Sequence, residues 1–456
     1  MTILPIRYRH TSLWAHSCRN RNESGKFLAW KISPRFIKTT ILGACLSLTL
    51  GYASFACAEM HEWTRQLGTS KADESRGVSV DRLGNVYIAG STRGDLEGTN
   101  TGRNDAFLSK YDASGILLWM RQFGTSGNDQ AQAVSTDGMG NIYISGTTAG
   151  SLGETNAGDR DAFICKYDSS GSLLWTRQLG TSSREEGSGV STDGLGGVYL
   201  SGVTRGSLGG PNAGASDAFL SKYDADGTLL WTQQQGTSGT DYGQGVSADG
   251  LGNVYLSGVT EGNLGRANDG GYDSFLSKYD ANGTLQWTRQ LGTSVWTPGT
   301  GVSADRLGNI YISGVIYGSL GGDRTGGWKT FVCKYKSNGA LQWTRQLDTR
   351  IRVVGSSVFA DGLGSVYLSG ATIGSRGGPT VVASDAFLSK YHTSGKLQWT
   401  RQLGTYDFDY GQGLAADGLG SVYISGRTYG SLGATNAGGG DAFVTKYGLY
   451  RQIQQQ

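Results

Sequence analysis

Histidine is nearly absent from the body of this chain: of four in 456 residues, only His61 and His392 lie beyond residue 58. Acid–base or nucleophilic chemistry that runs through an imidazole therefore has almost no material. Cysteine is equally sparse. Three of the five cysteines (Cys18, Cys45 and Cys57) fall in the first 58 residues, leaving Cys165 and Cys333. These two occupy the same position in repeats three units apart. A disulfide needs Cα atoms within about 7 Å, which that separation forbids, and no metal-ligand spacing links them. Both read as buried thiols standing where other repeats have Ser. Proline numbers only five, and no helical periodicity runs through the chain beyond residue 58, which excludes a helical domain.

One sign of charge is missing where nucleic-acid binding would need it. The formal net charge is +3, but residues 1–58 hold eight Lys/Arg and a single acid, Glu23. The remainder has 32 basic and 36 acidic groups, a net charge of −4. That mildly acidic body offers no footing for a phosphate backbone, and no nucleic-acid partner is expected.

Glycine, by contrast, is plentiful, with 75 residues, and aromatics make up 10%. That profile suits many short strands joined by tight turns. Ahead of them, Arg35 and Lys38 precede an apolar run from Ile41 to Ala58 that ends Ala56-Cys57-Ala58. A basic region, an apolar core and small residues at its end are the anatomy of a secretory signal peptide. Residues 1–58 are therefore read as an export leader, cleaved near Ala58, which places the mature protein in the periplasm, on the cell surface or in the medium. An uncleaved signal-anchor is the second reading of the same run. No membrane span is expected after cleavage.

The dominant feature is a repeat. Trp63, Trp119, Trp175, Trp231, Trp287, Trp343 and Trp399 are spaced by the same interval, seven copies without insertion or deletion. One unit opens at Asp217 as DAFLSKYDADGTLLWTQQQGTSGTDYGQ and continues from Gly245 as GVSADGLGNVYLSGVT. Period-two alternation with Gly, Asn and Asp punctuation resolves it into four strands. Strand a is Gly245–Asp249, b is Asn253–Gly258, c is Ala218–Asp224 and d is Thr228–Gln233. A tandem four-stranded meander is a propeller blade. The order at the ends predicts closure: the mature chain begins with a lone strand d, Glu62–Leu67, and finishes on a strand c, Ala442–Tyr447. Pairing the two closes a ring and hides both edges. The expected fold is all-β, a seven-bladed β-propeller over residues 59–447, followed by a tail at 448–456.

The motif GVSADGLGNVYLSG…DAFLSKYDADGTLLWT resembles the SBBP repeat of seven-bladed β-propellers and is more distantly similar to NHL repeats. The resemblance covers about residues 62–447. It implies a bacterial, exported propeller and brings no catalytic residues to transfer.

Several periodic residues invite a chemical reading and receive a structural one. Asp81, Asp137, Asp193, Asp249, Asp305, Asp361 and Asp417 end strand a in every unit. Carboxylates in loops suit Ca²⁺, but the spacing D-x-D-x-D is missing, and an Asx-type turn explains each. The same holds for Asp105, Asp161, Asp217, Asp273, Asp385 and Asp441 at the start of strand c. Lys110 and its equivalents, and the Arg that follows most repeat Trp residues, are spread evenly round the ring. They read as blade-to-blade packing and ion pairing. No metal site and no cofactor is read from the chain.

The loops carry the asymmetry. In this strand order the b–c and d–a loops share one face, and the a–b and c–d turns share the other. Between Gly68 and Ser216 the long loops contain no aromatic residue. Later ones hold Tyr242, Tyr272, Trp296, Tyr317, Trp328, Tyr406, Phe408, Tyr410 and Tyr429. Earlier ones carry mixed charge, including Lys71, Arg103, Arg184 and Glu185. Aromatics give contact area at low entropic cost and suit sugar or peptide recognition. The ligand-binding candidates are thus Trp296, Trp328, Tyr317, Tyr406, Phe408, Tyr410 and Tyr429. Between them the loops of the sixth unit bring Ile351, Val353, Val354, Val381 and Val382. The reading is a monomeric, exported, non-catalytic propeller that binds a protein or carbohydrate on this face. The alternative is a hydrolase or lyase built from carboxylates at the channel mouth.

Overall fold

The computed structural model describes residues 59–292, 299–318, 320, 328–348, 353–373 and 383–449. Every regular element in them is a strand. The chain opens with β1 (Glu59–Leu67). Blade one is β2 (Asp73–Val80), β3 (Val86–Thr92), β4 (Asp105–Tyr111) and β5 (Leu117–Phe123). Blade two is β6 (Gln130–Thr136), β7 (Ile142–Thr148), β8 (Asp161–Tyr167) and β9 (Leu173–Leu179). Blade three is β10 (Glu185–Thr192), β11 (Val198–Thr204), β12 (Asp217–Tyr223) and β13 (Leu229–Gln235). Blade four is β14 (Asp241–Ala248), β15 (Asn253–Thr260), β16 (Asp273–Asp280) and β17 (Leu285–Leu291). Blade five is β18 (Gly299–Ala304), β19 (Asn309–Tyr317), β20 (Trp328–Lys336) and β21 (Leu341–Asp348). Blade six is β22 (Val353–Ala360), β23 (Ser365–Ile373), β24 (Ser384–His392) and β25 (Leu397–Leu403). The last three strands are β26 (Asp409–Ala416), β27 (Val422–Thr428) and β28 (Asp441–Leu449).

Blade seven takes its fourth strand from the other end of the chain, in the order β1-β28-β27-β26. The pairing is antiparallel, from Glu59 opposite Leu449 to Leu67 opposite Ala442. The closure expected from the sequence is thus present, and β28 runs two residues past Tyr447. The innermost strands begin earlier than the repeat motif indicates: β14 starts at Asp241, not Gly245. A bulge between Gly243 and Gly245, matched in other blades, breaks the alternation that marks a strand in sequence.

The hydrophobic cores lie between blades, not within them. One cluster joins Tyr87 and Leu108 of blade one to Val134, Ile144 and Phe163 of blade two. Another joins Trp63 and Val444 to Val78, Ile88 and Phe107 across the closure. Burying a large apolar side chain contributes about 1.5–3 kcal/mol, so each blade is stabilised mainly by its neighbours.

Polar bonds repeat at the same joints. Trp63 donates to the Ala113 carbonyl at 3.2 Å, and Arg65 Nε donates to Gly115 O at 2.6 Å. Gly115 has a φ of 81°, and a Cβ there would lie 2.9 Å from the Trp63 ring. Only glycine lets the turn approach the indole so closely. Lys110 donates to Ser169 O at 2.9 Å while its ammonium sits 5.4 Å from the Tyr87 ring centre. These cations do pack blade to blade, but their regular partners are carbonyls and rings; ion pairs such as Lys446–Glu62 at 2.8 Å are the exception.

The turn aspartates behave as expected. Asp81 accepts the amides of Leu83 and Asn85, each at 2.9 Å. The aspartates opening strand c differ: Asp161 reaches back to the Ala157 amide at 2.9 Å and accepts from Gln178 at 2.8 Å. Cys165 and Cys333 are free and buried. Cys165 Sγ lies 3.4 Å from Thr176 Oγ1 where Ser221 meets Thr232 at 2.9 Å, and burial pushes both thiols up to about 12. His392 replaces the turn aspartate and accepts the Ser394 amide at 3.2 Å through Nδ1.

Candidate functional site

The innermost strands line a central channel of about 770 Å³. Its wall is mostly Gly, Ser, Thr, Ala and Val, because small side chains are what seven converging strands leave room for. Of the described lining residues, Glu74 is the one acid, accompanied by Arg76, Gln132, Gln244 and Gln412. Glu74 accepts from Arg76 Nε at 3.2 Å and from Gln412 Nε2 at 2.7 Å. Burial alone would raise its carboxyl, but the Arg76 charge and these hydrogen bonds outweigh it and hold the group below its ordinary value. A carboxylate so held stays ionised at neutral pH and is poorly suited to act as a general acid. Among the described residues no group of three or more His, Cys, Asp or Glu side chains could hold a metal ion.

The long loops share one face of the ring. Their ends touch through short parallel bridges such as Asn104 with Asn128 and Ser216 with Thr240. At blades one to three this face is charged: Arg184 Nε donates to Glu186 at 2.7 Å, and Arg160 lies 3.6 Å from the same carboxylate.

From blade four onward the aromatic candidates gather in separate groups within single blades. Tyr242 and Tyr272 stack at 6.5 Å on blade four. Thr240 donates to Glu261 beside them at 2.9 Å. On blade five, Tyr317 meets Trp328 edge to face at 5.5 Å. On blade seven, Phe408 and Tyr410 lie parallel at 6.2 Å, and Tyr429 stands edge-on to Phe408 at 6.4 Å. Tyr406 is 86% exposed. Trp296, Ile351, Val381 and Val382 lie outside the described residues, as do the side chains of Val353 and Val354.

Sequence reasoning missed Arg427. Its guanidinium lies 4.4 Å from the Tyr429 ring centre and donates to Gly439 O at 3.1 Å. Its Nε is buried without a hydrogen-bond partner. The signal was available: other units place Val203, Val259, Val315 or Ala371 at this point of strand b. A cation there departs from the repeat's own pattern. Blade seven thus combines three ring faces with a guanidinium, next to the Gln412–Glu74 contact at the channel mouth.

A closed ring of four-stranded antiparallel blades with a small-residue channel defines a seven-bladed β-propeller repeat protein. The chain belongs to the SBBP β-propeller repeat family, which matches residues 62–97, 118–154, 174–209, 230–265, 286–321 and 398–433. It is similar to Regulatory protein FlaEY of Caulobacter vibrioides, 26% identical over 373 residues, covering 71% of this chain and 39% of that protein. It is also similar to the uncharacterized WD repeat-containing protein L264 of Acanthamoeba polyphaga mimivirus, 22% identical, covering 80% of this chain and 36% of that protein. The chain therefore spans well under half the length of these curated relatives. Among solved structures, it is similar to the WD40 domain of Neurospora crassa Pan2, with 9% identity and a TM-score of 0.49, covering 87% of this chain and 98% of that one. A further likeness is to the β-propeller domain of the Trilobed protease from Pyrococcus furiosus, with 8% identity and a TM-score of 0.47, covering 87% and 99%.

Proposed function

We propose that this protein is an exported, non-catalytic binding propeller that recognises carbohydrate on its long-loop face, centred on blade seven. The observation that carries the reading is the exposed set Tyr406, Phe408 and Tyr429, with Arg427 held against Tyr429. Parallel and edge-on rings offer flat apolar surface to the C–H face of a sugar. The half-buried Arg427 guanidinium, held over the Tyr429 ring, adds a positive charge and terminal N–H donors for a hydroxyl or a carboxylate of the same ligand. The neutral, small-residue channel wall and the ionised state of Glu74 favour binding over hydrolysis. The similarity to a protein named as regulatory accords with a role that needs no catalysis. Export rests on the basic and apolar segments before Glu59, and mass spectrometry of the protein from its own host should find the N-terminus near Glu59.

A glycan array probed with the full chain tests the ligand class. Binding to a defined set of glycans is expected, and the double variant Tyr406→Ala, Tyr429→Ala should lose it with an unchanged melting curve. Equal binding by the variant, or capture of a surface protein with no glycan bound, would overturn the carbohydrate reading.

A further inference from the structure

The end of the channel away from the long loops widens into a second cavity, of about 280 Å³. That is comparable with the smallest ligand pockets, about 300 Å³. Its floor is formed by the ends of the innermost strands, with small side chains such as Thr136 and Ala248, and its rim by a–b turns. Each a–b turn has the form Asp-x-Leu-Gly, with Met139 replacing Leu in blade two. Five units carry glycine at x: Gly138, Gly194, Gly250, Gly362 and Gly418. Blades one and five carry Arg82 and Arg306 there instead, and both line the cavity. Gly138 shows that the turn closes without a side chain at this position, so the two cations are not needed to build it.

The two arginines lean toward one another round the mouth. Arg82 extends over the turn of blade two, where a Cβ on Gly138 would lie 3.0 Å from its Nη2. Arg306 extends the other way, over blades four and three: a Cβ on Gly250 would lie 3.5 Å from its Nε, and one on Gly194 4.0 Å from its Nη2. Both side chains are exposed. Neither makes a hydrogen bond or ion pair with a described residue. Asp81, Asp137, Asp193 and Asp249 share the rim, but their oxygens are engaged within their own turns. Asp137 Oδ1 accepts the Met139 and Asn141 amides at 2.8 and 3.0 Å, and Oδ2 accepts Asn141 Nδ2 at 2.7 Å. Asp249 does the same with Leu251 and Asn253. Two guanidiniums brought over adjacent blades repel each other, and no described carboxylate bridges them.

We propose that this cavity binds a tetrahedral oxyanion of the phosphate class between Arg82 and Arg306. A guanidinium presents its N–H donors as a planar fork that fits two oxygens at once. A phosphate group offers one pair of oxygens to each fork, whereas a carboxylate has a single pair. The turn aspartates oppose any anion held by charge alone, so the site selects for a group that engages both forks. Bound there, the anion caps the channel at this end and ties blade one to blade five. The site lies away from the long-loop face and does not depend on what that face binds.

The test is calorimetric titration of the full chain, in low-salt buffer free of phosphate, with inorganic phosphate, glucose 1-phosphate and acetate. Saturable binding of a phosphate group is expected, with acetate weaker by about tenfold or more. Tighter binding of the sugar phosphate than of inorganic phosphate would assign the site to phosphate esters; the reverse order would assign it to the free ion. Arg82→Gln with Arg306→Gln should abolish binding while the melting curve without phosphate stays unchanged. Arg82→Lys with Arg306→Lys keeps both charges and loses both forks, so its affinity should fall about tenfold or more. No saturable binding by the parent protein, or equal binding by the Gln pair, would overturn the proposal. So would acetate binding as tightly as phosphate, or a Lys pair that binds like the parent, since either would leave the forks without a role.

Discussion

The joints between blades and the long-loop face are built from the same repeat, yet they have diverged to different extents. At the joints Trp, Lys and Gly recur with the same partners: Trp119 and Trp231 each donate to a turn carbonyl of the next blade at 3.2 Å. On the long-loop face, Glu186 of blade three becomes Tyr242 in blade four and Tyr410 in blade seven. The difference reflects what each side chain must touch. A joint residue fits a cavity formed by two strands and a turn, where packing is close to crystalline density and a lost methylene is felt. A face residue meets solvent or another loop, so its chemistry is free to change toward a ligand. At the joints constancy reports packing, and on the long-loop face a break marks where packing no longer constrains the side chain.

Substitutions can sharpen or break that division. The largest effect is expected at the closure, where Trp63 fills the joint between the last and first blades. Trp63→Ala should cost about 3–5 kcal/mol of unfolding free energy, measured by denaturant titration. A loss no larger than that of a surface residue would mean that the ring does not depend on β1.

A smaller effect is expected at the buried carboxylates. Asp241 is fully buried and accepts from the Thr237 amide at 2.6 Å and its hydroxyl at 2.9 Å. Burial, with Asp217 close by, raises its carboxyl above the ordinary value despite the bonds from Thr260 and Thr237. The folded state therefore holds this proton more tightly than the unfolded chain does. Its contribution is fully present below the ordinary carboxylate value and is lost as pH rises through the raised one. Asp241→Asn keeps an acceptor for Thr237 and removes the charge, so it should flatten the fall in melting temperature as pH rises above the ordinary carboxylate value. Asp241→Ala should cost about 1–3 kcal/mol by leaving the Thr237 donors unpaired. An unchanged pH profile in the Asn variant would assign the dependence to other groups.

Cys165→Ser should change stability by less than about 1 kcal/mol, since Ser221 already makes the same contact in the next blade; a calorimetric melt decides it. Smallest of all is the stability effect of Tyr406→Ala with Tyr429→Ala, within about 0.5 kcal/mol. A large loss there would show that the rings serve packing and would erase the contrast between joint and face.

Much of this was legible in the chain. Seven tryptophans at one spacing, four alternating segments per unit and a lone strand d at the start determined the blade count, the topology and the closure. Those features are local or concern nearest repeats, and period-two alternation survives in sequence because successive residues of a strand face opposite sides of the blade. The turn aspartates and the thiols replacing serine were legible for the same reason: repeats serve as one another's controls.

What lay out of reach depends on contacts between blades. Trp63 meets Ala113 across 50 residues, and Lys110 meets Ser169 across 59. No local periodicity marks such separations, so the sequence indicated that the cations pack blade to blade and form ion pairs, but not that carbonyls and rings are their regular partners. The early start of β14 was hidden by its bulge. The candidate aromatics were visible as residues but not as groups. Only the tertiary structure stacks Phe408 on Tyr410, sets Arg427 against Tyr429 and turns six leucines and Met139 outward at the tips of the a–b turns. Composition names the side chains. Their direction follows from the twist of each blade and the closure of the ring, which no single repeat contains.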